Sequence, residues 1–176
     1  ENNQLQEVLE LDKTTAYSTV GAKVMLDKNS PYLNSVVINK GSNVGIKLGM
    51  PVLSKGNLVG RIVEVNYISS RILLLNDLNS KIPAVISPSG EQAILSGIGQ
   101  KNPTLEYLPE SFQNVDDLTV YTSGKDGVLF PGISIGKIIR DDESDENRIR
   151  VKLFSDPTQI LYVNVVLDKS NDEEAK

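Results

Sequence analysis

VVINKGSNVGIKLGMPVLSKGNLVGRIVEV, residues 36–65, sets Gly41, Gly45, Gly49, Gly56 and Gly60 between short runs rich in β-branched residues. A backbone punctuated in this way turns sharply at intervals, and each run between turns has about the length of one strand. The pattern predicts a small β-barrel. Part of it recurs downstream. Met50-Pro51-Val52-Leu53-Ser54, Leu58-Val59-Gly60-Arg61-Ile62-Val63 and Ile72 to Asp77 are echoed by Leu118-Thr119-Val120-Tyr121-Thr122, Ser134-Ile135-Gly136-Lys137-Ile138-Ile139 and Val151 to Asp156. Two copies predict two barrels, each near the lower size limit for an independent core and therefore expected to stabilise each other by packing.

Upstream of the opening stretch, Thr14 to Leu26 is rich in β-branched and aromatic residues, and Asn29-Ser30-Pro31 marks a turn before Ser35 to Asn39. Lys55-Gly56-Asn57 reads as a tight hairpin turn between strands at 51–54 and 58–65. A strand at 70–76 completes the first barrel, assigned to residues 13–78, and Asn76 to Ser80 is the polar seam chosen as the boundary. The second barrel, residues 79–167, takes strands at 81–87, 91–97, 104–108, 118–122, 133–140, 148–154 and 161–167. The sequence leaves open whether 160–167 closes the second barrel or returns to the first. About twelve strands with frequent turns give an all-β fold of two small six-stranded barrels.

The ends differ in character. In residues 1–12 Leu5, Val8 and Leu9 fall at helical spacing, either as an amphipathic turn resting on the barrel or as the end of a coiled coil whose seam they would form. The abrupt polar start at Glu1-Asn2-Asn3-Gln4, with no initiating Met or anchor, reads as an excised fragment. Residues 168–176 are charged and expected to be disordered.

Composition narrows the function. The chain has 176 residues, 39% hydrophobic and 23% charged, with no run of the roughly 20 apolar residues needed to cross a bilayer. A net charge of −5 with scattered basic residues argues against nucleic acid as a partner. Cysteine is absent, which removes disulfides, zinc-thiolate sites and thiol nucleophiles. Histidine is absent too, and with it the commonest general base and metal ligand.

The remaining motifs point to turns. The acidic run Asp141, Asp142, Glu143, Asp145 and Glu146 lacks the mid-loop Gly and terminal Glu of a calcium loop and reads as a solvated hairpin tip. Ser96 to Lys101 lacks phosphate-loop spacing. Ser123 and Lys125 could form a nucleophile pair, but a glycine-rich exposed turn leaves a lysine hydrated and protonated, so a turn fixed by small residues is preferred. Paired six-stranded barrels resemble chymotrypsin-like proteases, whose triad cannot exist here without histidine. No active site, cofactor or metal is expected. Tyr32, Tyr67, Tyr107 and Phe112 are read as half-buried strand residues in preference to partner contacts.

A longer pattern is more specific than any of these motifs. Ile38, Gly41, Gly45, Gly49-Met50-Pro51-Val52, Gly56, Leu58-Val59-Gly60, Ser70-Arg71 and Leu75 to Asp77 are followed by Asp117, Thr122-Ser123-Gly124, Gly127, Phe130-Pro131-Gly132 and Gly136. In order and spacing these residues resemble the family of the rod-shape-determining protein MreC, from residue 1 to about 167. Asp116 stands where that family would have Gly, and Ser134 where it often has Pro. The resemblance implies an extracytoplasmic, periplasmic double barrel on an inner-membrane protein, anchored through an upstream helix and dimerising, or assembling further, through a coiled coil. It also implies a non-catalytic scaffold linking MreB and MreD to peptidoglycan synthases, a SEDS glycosyltransferase and its class B penicillin-binding protein, and activating them by binding. A periplasmic adaptor of a transport system is the alternative, disfavoured because nothing between Thr14 and Leu167 reads as a long helical hairpin. On either reading Gly41, Gly45, Gly49, Gly56, Gly60, Gly124, Gly127, Gly132 and Gly136 shape turns and bind no ligand.

Overall fold

A computed structural model describes residues 18–25, 34–87, 89–99, 101–108, 118–125, 131–140, 149–156 and 159–167. The expectations for the helix at 1–12, the acidic run at 141–147 and the tail at 168–176 lie outside these residues. Among the described residues the chain forms β1 (Ser18–Met25), β2 (Ser35–Ile38), β3 (Pro51–Ser54), β4 (Asn57–Val65), β5 (Ser70–Leu74), β6 (Lys81–Ser87), β7 (Gln92–Ser96), β8 (Thr104–Glu106), β9 (Thr119–Thr122), β10 (Ser134–Arg140), β11 (Ile149–Leu153) and β12 (Tyr162–Leu167). A 3-10 turn, Ser42–Val44, lies between β2 and β3. The all-β expectation holds.

Hydrogen-bonded neighbours run β4-β3-β12-β1-β2-β5 and back to β4, a closed ring of six strands. A second ring runs β10-β9-β6-β7-β8-β11 and back to β10. Closure removes the exposed edges on which open sheets aggregate. The sequence echo is the sign of this duplication: β3, β4 and β5 occupy in one ring the places of β9, β10 and β11 in the other. The open question about 160–167 is answered by pairing. β12 lies antiparallel to β1, from Ser18↔Leu167 to Lys23↔Tyr162, and to β3 at Asn164↔Leu53 and Val165↔Val52. The last strand thus fills in the first ring the place that β6, the first strand of the second ring, fills between β7 and β9.

Alternation builds the cores. In β6, KIPAVIS, Ile82, Ala84 and Ile86 are buried while the residues between them face outward. They join Leu95, Val120, Ile135 and Val151 in the core of the second barrel. The core of the first barrel holds Ile38, Val52, Val59, Ile62, Ile72, Val163 and Val165. Leu58 of β4 and Leu75 just after β5 belong to the second core, although their neighbours Val59 and Leu74 pack in the first. The two barrels therefore share a wall, and the β4–β5 side of the first is covered by the second.

Polar contacts reinforce that wall. β10 meets β4 in a parallel pair at Ser134↔Asn57, where the Ser134 hydroxyl donates to Asn57 Oδ1 at 2.6 Å. The Ser155 hydroxyl donates to the carbonyl of Ser54 at 2.9 Å. The seam at Asn76 to Ser80, polar by sequence, is packed: Asn76, Asp77 and Ser80 are all buried. Asp77 accepts hydrogen bonds from the backbone N–H groups of Asn34 and Asn79, each at 2.8 Å, so its carboxylate is satisfied by the chain itself. Gly97 lies against it so closely that a Cβ there would fall 1.9 Å from the Asp77 carbonyl oxygen.

Candidate interaction surface

The glycines singled out by sequence divide into two kinds. Gly45, Gly49, Gly56, Gly124 and Gly132 have positive φ and sit in turns. Gly60 of β4 and Gly136 of β10 sit inside strands at matching places in the two barrels, where a Cβ would meet the carbonyl oxygens of Leu73 at 2.3 Å and Lys152 at 2.2 Å. Gly41 is crowded in the same way by the backbone of Asn66 to Ser69. These glycines let neighbouring backbones approach. Leu5, Val8, Leu9 and Gly127 lie outside the described residues.

Arg71, part of the Ser70-Arg71 motif, has a similar structural use. Its guanidinium reaches Glu64 Oε2 at 3.1 Å across the β4–β5 ladder and donates to the Ser35 hydroxyl on β2 at 3.1 Å, tying three strands of the first barrel together. The Ser123–Lys125 turn places the backbone N–H of Lys125 3.4 Å from the Ser123 hydroxyl, with Lys125 itself exposed. Among the described residues no group of three or more Asp or Glu side chains gathers to hold a metal ion, and no helix is long and apolar enough to cross a membrane.

What the described surface offers is apolar side chains and shallow clefts. Tyr67 and Tyr107 were expected to be half-buried on strands. They are instead exposed, at 73% and 81%. The reason is their position: Tyr67 lies beside Ile68 at the tip of the β4–β5 hairpin, and Tyr107 follows the end of β8 with a left-handed φ of 66°. Tyr32 and Phe112 lie outside the described residues. A cleft of about 330 Å³ on the second barrel places Tyr107 with Ile94, Pro83, Ser123 and Lys125. A larger one, about 800 Å³, opens at one end of the first barrel among residues 21–23, 39–40, 54–55 and 159–164. It contains the exposed pair Leu161 and Tyr162, which the sequence reading passed over. The signal was available in the alternation of β12, since burying Val163 and Val165 turns Tyr162 outward.

Comparison with known proteins agrees with this architecture. The family model for rod shape-determining protein MreC, barrel core, matches residues 24–167. The cell shape-determining protein MreC of Caulobacter vibrioides is 36% identical over 96% of the chain and 48% of its own length, so the chain spans about half the length of the curated relatives it matches. The crystal structure of MreC from Pseudomonas aeruginosa superposes with a TM-score of 0.74 at 25% identity, covering 85% of this chain and 99% of that one. A fold likeness also extends to a complex between penicillin-binding protein PBP2 and MreC from Helicobacter pylori, with a TM-score of 0.63 at 13% identity over 86% of this chain and 99% of that one. With its two closed six-stranded rings and a family match running through both, the chain belongs to the MreC family of rod shape-determining proteins.

Proposed function

We propose that this chain is the extracytoplasmic part of a cell shape-determining protein that acts as a non-catalytic scaffold, binding a class B penicillin-binding protein and favouring its active arrangement. One observation carries the reading: the chain is an MreC-family barrel core, and a protein of the same fold stands in complex with a penicillin-binding protein. The surface is consistent with binding. Among the described residues, exposed aromatic and aliphatic side chains on both barrels offer contact area of the kind that anchors interfaces. The links to a SEDS glycosyltransferase, MreD and MreB, the dimer seam at Leu5, Val8 and Leu9, and an upstream membrane anchor belong to the same proposal. Family membership takes away the ground for the transport-adaptor reading.

Capture of peptidoglycan synthases tests the reading. The immobilised chain is expected to retain a class B penicillin-binding protein from solubilised membranes and to lose it when Gly60 or Gly136 is replaced by valine. Failure of the folded chain to retain any penicillin-binding protein would count against a scaffold role. For the dimer seam, a chain extended with its upstream helix should be dimeric by light scattering, and a monomer at high concentration would remove that part of the proposal.

A further inference from the structure

At one end of the first barrel β3 and β12 separate. They pair at Leu53↔Asn164, but the chain then turns away through Lys55-Gly56, and the approach to β12 through Leu161 and Tyr162 forms the opposite wall of the 800 Å³ cleft. Three elements each contribute one lysine to it: Lys23 from β1, Lys40 from the loop after β2, and Lys55 from the β3–β4 turn. Among the described residues none of the three forms an ion pair and no Asp or Glu lines the cleft, in a chain whose net charge is −5. Between the lysines, Leu161 and Tyr162 stand 71% and 68% exposed.

The placement of Lys55 is a second, independent observation. Its φ is 52° and that of Gly56 is 84°, the two left-handed positions of a tight hairpin turn. Asn, Asp or Gly is the favoured first residue of such a turn, and lysine carries backbone strain there that asparagine largely avoids. The turn gains nothing from lysine, whereas the cleft gains a cation.

Lysines on three separate elements present a spread positive field. Such a field suits several carboxylates along an extended chain better than one compact anion, which is better held by a convergent fork of donors. The exposed Leu161 and Tyr162 add an apolar face that a polyanion without apolar groups would leave unused. The volume suits a few residues of peptide. We propose that this cleft binds an acidic polypeptide segment of a partner protein, one that carries at least one large apolar side chain. The proposal stands apart from the identity of any synthase the chain binds.

Fluorescence anisotropy with the 176-residue chain and a labelled synthetic peptide of Glu, Asp, Leu and Phe tests it. Binding is expected to saturate and to weaken as salt rises, because exposed charges are screened. The triple variant Lys23→Gln, Lys40→Gln, Lys55→Asn should bind at least about tenfold more weakly. Its thermal unfolding should not fall, since Lys55→Asn relieves the turn. Tyr162→Ser should also weaken binding, while Tyr107→Ser, on the other barrel, should leave it unchanged. Equal binding by the wild-type chain and the triple variant, or no binding of the peptide, would overturn the proposal. Stronger binding of heparin or of phosphatidylglycerol vesicles than of the peptide would also overturn it, giving the cleft to a polysaccharide or a lipid surface.

Discussion

Gly60 and Gly136 leave no room for a side chain, for a reason that only the assembled barrels make visible. Each lies inside a strand with the partner strand's carbonyl where a side chain would begin, at 2.3 Å from Leu73 and 2.2 Å from Lys152. Val at either position must push backbone aside in a packed sheet, and overpacking of that kind costs about 3 kcal/mol. Urea unfolding of Gly60→Val or Gly136→Val should show a clearly lowered midpoint, and a midpoint within error of wild type would mean that the strands are not so close. The sequence marked both residues through their matching places in the echo, but assigned them to turns. A strand glycine and a turn glycine look alike until the partner strand is known. Asp77 was less legible still. It was read as part of a polar boundary, yet it is fully buried and holds the backbone of Asn34 and Asn79. Asp77→Ala strands both N–H groups and should cost about 2–3 kcal/mol, measured by the same unfolding experiment. The echoed residue Asp156 forms a different contact, a partly exposed ion pair with Lys101 at 3.8 Å. Ser134 reaches Asn57 across the two barrels.

At the level of elements, local pattern identified the strands and could not choose their partners. Alternation and turn residues are properties of neighbours in sequence, and so about twelve strands were legible from them. The placement of β12 depends on a contact between the two ends of the chain: Leu167 pairs with Ser18, nearly the full length of the described chain away. No periodicity encodes such a choice. The same pairing offers a test, because adjacent antiparallel ends can be joined by a short hairpin turn. A circular permutant that joins β12 to β1 through Asn-Gly, with new ends between Asp156 and Gln159, would run both barrels in the same strand order. It should fold cooperatively with a stability within about 1 kcal/mol of a chain that begins at Ser18. A permutant that is molten or insoluble would show that β12 does not complete the first ring as described.

For the whole molecule, the shared wall decides what is available for binding. Leu58 and Leu75 commit the β4–β5 side of the first barrel to the second, so contacts with partners fall on the remaining faces and at the barrel ends. There the exposed residues gather: Tyr67 and Ile68 at a hairpin tip, Leu161 and Tyr162 in the basic cleft, Tyr107 on the second barrel. The sequence excluded much through its lack of histidine and cysteine, and its ordered glycines pointed to the family. Exposure was beyond it, since whether an aromatic faces the core or the solvent depends on strand partners and turn geometry. A scaffold of this kind should bind its synthase as a folded, preorganised body. Biolayer interferometry between the immobilised chain and the purified ectodomain of a class B penicillin-binding protein from the same cell measures that directly. Saturable binding with a dissociation constant of about 10 μM or tighter is predicted, reduced in step with the unfolded fraction of Gly136→Val; a fully folded chain that leaves the ectodomain unbound at concentrations well above that value would contradict the scaffold role.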